Sequence, residues 1–103
     1  MTPLETLRAA RQLISDPAKW TQGVAARNRL GSSVDPLAED AVCFCSIGAI
    51  RNVVAEDNHA FERASDALRS HSPIGVIAGF NDTHTHAEVL GLFDAAIAEL
   101  EGV

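Results

Sequence analysis

The stretch Ala38–Val54, A-E-D-A-V-C-F-C-S-I-G-A-I-R-N-V-V, leaves this chain few ways to fold. Apolar or small residues stand at Ala38, Ala41, Val42, Phe44, Cys45, Ile47, Gly48, Ala49, Ile50, Val53 and Val54. Read at a period of 3.6 they point almost all round a helix, and a helix apolar on every side has to be covered by others. The pattern predicts a buried central helix, launched by Asp35-Pro36 and running to about Glu56. Gly48 inside it costs up to about 1 kcal/mol relative to Ala. With Ala41, Cys45 and Ala49 beside it, that glycine predicts close approach of a neighbouring helix.

The flanking segments supply the cover. Thr2-Pro3 with Glu5 reads as a capping box and first turn, and Leu4, Leu7, Arg11 and Ile14 form one stripe, so a helix is expected from Pro3 to about Ser15. Asp16-Pro17 stops it. Lys19–Pro36 is irregular, with a short β-hairpin within residues 21–35 around Asn28-Arg29-Leu30-Gly31 as its one candidate element. Asn58–Ser70 carries Phe61, Ala64 and Leu68 on one face. Ser72-Pro73 opens a short apolar helix that Asn81-Asp82 ends. Thr83 or Thr85 caps the last helix, Thr85 with Glu88 as a second capping box, and this helix stops at Gly102. The sum is an all-α single domain over residues 1–103: a compact bundle of four main helices and a short one.

At 103 residues the chain can bury a core without a metal or disulfide. It has no apolar run of the ~20 residues that span a bilayer, and no signal-peptide core, so a cytoplasmic place is expected. On the expected helix Cys43 and Cys45 lie about 200° apart, which predicts two separate, reduced thiols. The net charge of −6 is split: residues 1–30 balance at +3 and the remainder at −9. The simplest account lays the basic N-terminal part over the acidic C-terminal part, its own or a partner subunit's. A nucleic-acid surface would need more positive charge, and Arg27 and Arg29 make only a weak phosphate-binding signal beside a salt-bridged or solvated loop.

Trp20 after the first helix, Cys45-Ser46-Ile47-Gly48-Ala49-Ile50, Phe80-Asn81-Asp82 and a closing Glu88-Val89-Leu90 helix together form a W…C-x-x-G-A-[LI]…N-D layout. In this the chain resembles a family of small uncharacterised bacterial and phage proteins, a domain of unknown function. The resemblance implies no activity, cofactor or partner. Cys45, Gly48, Ala49, Asn81 and Asp82 match the layout.

Asp82-Thr83-His84-Thr85-His86 has the composition of a metal site, since an extended H-x-H puts both rings on one face. A helix start there turns His84 and His86 apart and makes the segment a solvated cap, which is the favoured reading. Cys45 could act as a nucleophile if Asp82 and a histidine met it, but a position inside a helix suits an inert, packed thiol better. Asn81 and Asp82 read best as a structural staple, binding backbone N–H groups and, with Trp20 packed on the central helix, fastening the irregular segment. His59 and His71 are lone residues near helix ends. No cofactor is implied, and no phosphate-binding glycine loop or convergent acid–base pair is present. The functional expectation is a non-enzymatic association or accessory module, binding itself as a homodimer or another protein. The alternative is a small metal-dependent or thiol enzyme using Asp82, His84 and His86, or Cys45.

Overall fold

The first helix is set by its own opening residues. The Thr2 hydroxyl accepts the Glu5 N–H and the Glu5 carboxylate accepts the Thr2 N–H, so both orphan donors are satisfied. Helix α1 then spans Pro3–Leu13 in the computed structural model, which describes residues 1–102. Its inward stripe of Thr6, Leu7, Ala10 and Ile14 is fully buried. Asp16 then caps a single 3-10 turn, Pro17–Lys19.

Helix α2 is Ser46–Val54, α3 is Asn58–Arg69, α4 is Ile77–Thr83 and α5 is His86–Leu100. Asp57 caps α3 by accepting the Ala60 N–H, and Thr85 with Glu88 closes the second capping box at the head of α5. Two boundaries differ from the sequence reading. Ser72-Pro73 does not start a helix; it begins a turn closed by the Gly75 N–H to the Ser72 carbonyl, with Gly75 at φ +71°. Asn81 and Asp82 consequently lie within the last turn of α4 instead of ending it.

The larger correction concerns residues 35–45. Asp35-Pro36 makes an isolated turn, with the Asp35 carboxylate accepting the Leu37 N–H, and the helix begins only at Ser46. Residues Cys43–Phe44 form a strand, β2, antiparallel to β1, Ala26–Arg27, in the register Ala26↔Phe44 and Arg27↔Cys43. The physical reason is long-range pairing. Val42 N–H reaches the Arg27 carbonyl, Cys45 N–H reaches the Ala25 carbonyl, and Phe44 accepts from Thr21 N–H. The β-favouring Val-Cys-Phe therefore finds backbone partners that a helix would forgo. The expected turn at Asn28–Gly31 does form, bridging Arg27 to Ser33, but the strand paired with β1 comes from later in the chain.

α1 packs against α2, α3 and α5, while α2 packs against α1, α3 and α4. Phe44, Ala49 and Ile50 meet Leu7, Ile14, Leu68, Phe80 and Phe93 in the shared core. Gly48 does allow a close approach, although the neighbour is the loop backbone at Ala25, just before β1, and not another helix. The charge split is met inside the chain: Arg8 pairs with Glu101, and Arg11 Nε lies 2.5 Å from Asp94 Oδ1, so α1 lays its cations on α5. No helix among the described residues is long and apolar enough to cross a membrane.

Candidate functional site

Asn81 is the hub at which the irregular segment, α2 and α4 meet. It is fully buried. Its Oδ1 accepts Trp20 Nε1–H at 2.8 Å, Ser46 N–H at 3.0 Å and the Ser46 hydroxyl at 2.8 Å. Its Nδ2 donates to the Thr21 carbonyl at 3.0 Å and to Asp82 Oδ1 at 3.1 Å. Indole and peptide N–H groups can only donate and a carbonyl can only accept, so these neighbours fix which way the amide faces. Ser46 is the first residue of α2, where a backbone N–H has no intrahelical partner. Asn81 therefore caps α2 from another helix.

Asp82 extends the junction on its exposed side, its Oδ1 accepting the Gly23 N–H at 2.9 Å. Gln22 completes it by donating to the carbonyls of Asn81 at 2.9 Å and His84 at 3.0 Å, which covers the open end of α4. Gln22 and Ser46 were missed as site residues. Their partners lie 59 and 35 residues away, respectively, and no local pattern marks them.

Trp20 is half-buried. Its indole is pinned to α4 through Asn81 and tilts against the His86 ring of α5, with centroids 5.4 Å apart.

Cys45 stands at the N-cap of α2, not in a helix interior. It is buried, and its Sγ accepts the Gly48 N–H at 3.3 Å. Burial raises the pKa of the thiol; the nearby Asp82 charge adds to this, while the Gly48 and Ile47 N–H groups oppose it. Cys43 and Cys45 are both free, and because the chain is extended at this point the helical-angle argument for keeping them apart does not apply. Cys45 and Asp82 line a depression of about 220 Å³ together with Gly23, Val24 and Ala25.

The two histidines diverge. His84 stacks on Phe80 at 3.7 Å, with Nδ1 2.9 Å from the Phe80 carbonyl. His86 Nε2 lies 2.6 Å from the Ile14 carbonyl at the end of α1. A carbonyl only accepts, so each of these nitrogens carries its proton and cannot also be a metal ligand. Both rings are half-buried instead of solvated. Among the described residues no group of three or more His, Cys, Asp or Glu could hold a metal ion.

Arg27 is committed to its own loop, donating to Thr21 Oγ1, the Gly31 carbonyl and the Gln22 carbonyl, whereas Arg29 is exposed. His59 is exposed, and His71 Nε2 lies 3.0 Å from Glu99.

No curated protein and no solved structure matches the chain. The model of a family of unknown function, DUF6197, matches residues 1–99. With nearly its whole length matched in this way, the chain belongs to that family of unknown function.

Proposed function

We propose that this domain is a non-enzymatic protein-association module, and that Trp20, Asn81, Asp82 and Cys45 are its structural staple. One contrast carries the reading. The side-chain polar atoms of Trp20, Ser46 and Asn81 are spent within the junction, whereas the neighbouring surface of α4 and the turn before it is apolar and open, with Ile74 51% and Val76 56% exposed. A catalytic group needs spare donors or acceptors facing a substrate, while an association surface needs exposed apolar area. The internal pairs from α1 to α5 remove the charge split as an argument for a partner, so the apolar surface stands in its place.

The W…C-x-x-G-A-[LI]…N-D layout of this chain fits this reading. Trp20, Cys45, Gly48 and Asn81 all serve the single junction between the irregular segment and α2. Two free thiols support a cytoplasmic setting, and the layout supports a bacterial or phage source.

The test places a photo-crosslinking amino acid at position 76 and, as a control, at the exposed Gln12, in the cells that make the protein. Adducts to a protein, itself or another, are expected at 76 and not at 12. No adduct at 76, with a purified protein that sediments as a monomer, would overturn the reading.

A second reading has one observation in its favour: Cys45 sits at the start of a helix and lines a depression with Asp82. It makes the domain a small thiol enzyme. Native alkylation with iodoacetamide separates the two. Slow labelling is expected from the buried, raised-pKa thiol; rapid labelling at neutral pH would displace the association reading.

A further inference from the structure

We propose that the trough along the α2–α4 face is a self-association surface whose occupant is the same trough of a second copy of this chain. The proposal rests on the association reading above and names its partner and its place. Two depressions adjoin on this face, one of about 220 Å³ reaching to Asp82 and one of about 330 Å³ reaching to Arg69. Ile47 and Ala78 line both, so the two run together across an apolar middle. Val76, which walls the second, is exposed, as is Ile74 two residues before it.

The charges decide the occupant. Asp82 belongs to one half only and Arg69 to the other, so an acid and a base stand on opposite sides of the apolar middle. In a two-fold contact residue i of one copy meets residue j of the other while j meets i. With the axis at Ile47 and Ala78, Asp82 of each copy faces Arg69 of the other, giving two opposite-charge pairs around a desolvated centre. A uniformly basic or acidic partner would match one end and repel the other.

Both groups have capacity left. Asp82 uses Oδ1 for Gly23 and Asn81, and its Oδ2 has no partner among the described residues. Arg69 donates through Nη2 to Asp66, and its other guanidinium nitrogens have no partner among the described residues.

The experiment is sedimentation equilibrium of the intact protein from about 1 μM to about 1 mM. A reversible dimer is expected. Val76→Glu and Arg69→Glu should each weaken it at least about tenfold, and Asp82→Lys likewise, because like charges then oppose across the axis. Mixing Arg69→Glu with Asp82→Lys should restore association as a mixed dimer, since both contacts then pair opposite charges. Circular dichroism confirms that each variant is folded. Should Asp82→Lys lose its fold with the Gly23 contact, Val76→Glu and Arg69→Glu carry the test. A dimer indifferent to both of those overturns this surface and leaves the association reading standing. A wild type that is monomeric throughout, yet crosslinks at position 76 to a different protein, overturns self-association alone. A monomer with no adduct overturns both.

Discussion

Gly48→Ala should destabilise this protein even though it puts a better helix former into a helix. A Cβ built on Gly48 stands 1.9 Å from the Ala25 carbonyl oxygen and 2.8 Å from its carbon, where ordinary contact begins at 3.4 Å. Both atoms are backbone, and the same carbonyl accepts the Cys45 N–H at 3.0 Å. Making room means backing α2 off residue 25 and stretching that bond. Overpacking of this kind costs about 1–3 kcal/mol, and the lost hydrogen bond adds about 1 kcal/mol. The propensity gain of Ala over Gly returns up to about 1 kcal/mol. With the propensity gain returned in full, the net is a loss of about 1–3 kcal/mol, or a melting temperature lower by roughly 5–20 °C in a domain of this size. Gly91→Ala is the internal control: α5 leaves nothing within 4 Å of a Cβ there, so only the propensity gain applies and a stabilisation of about 0.5–1 kcal/mol is expected. Urea denaturation of the two variants beside the wild type measures both. If Gly48→Ala matches or exceeds the wild type, the close approach of residue 25 does not constrain the fold and the reasoning fails.

Asn81→Asp should cost about 3 kcal/mol at neutral pH, because a carboxylate oxygen would replace the amide that donates to Thr21 and Asp82. The deficit should shrink as the pH falls and a proton restores a donor; urea midpoints at about pH 4.5 and about pH 7.5 compare the two states, and a pH-independent deficit would refute this. Ala55→Gly should stabilise by about 1 kcal/mol, since Ala55 ends α2 at φ 54°, ψ −123°, a region few L side chains adopt, and an unchanged melting temperature would show the strain to be absent. The raised Cys45 pKa has an alkaline signature. Folding favours the protonated thiol, so this stability is complete below the ordinary thiol value of about 8.5 and is lost above it, at up to about 1.4 kcal/mol per pH unit, until the folded thiol also ionises. The chain has no tyrosine to mask this, and Cys45→Ala should flatten the slope of unfolding free energy between about pH 8.5 and about pH 10.

How legible each element was follows from how far away its determinants lie. Thr2 with Glu5, Asp57 with Ala60 and Thr85 with Glu88 satisfy orphan N–H groups three residues away, which is why α1, α3 and α5 could be read from the line of letters. The apolar run 38–54 could not be divided by its own periodicity. Its first part has partners at Thr21, Ala25 and Arg27 that no helical or strand pattern announces, so it was read as more helix. Reading it as helix puts Cys45 in a helix interior, whereas the observed strand leaves it at the cap of α2. Asn81 and Asp82 were legible as hydrogen-bonding residues near a helix junction. What they bind was not, because Trp20, Ser46 and Gly23 are distant in sequence.

By itself, then, the sequence determined the helical class, the heads of three helices and which face of each turns inward, because those follow from contacts within one or two turns. Only the tertiary structure decided that the apolar stretch breaks into a strand and a shorter helix, that Gly48 makes room for the Ala25 carbonyl, and that the two histidines turn to different carbonyls. The reason is that a buried backbone N–H or C=O must find a partner somewhere, and for residues 20–45 the partners lie on distant parts of the same segment or on side chains of α4, at no fixed spacing.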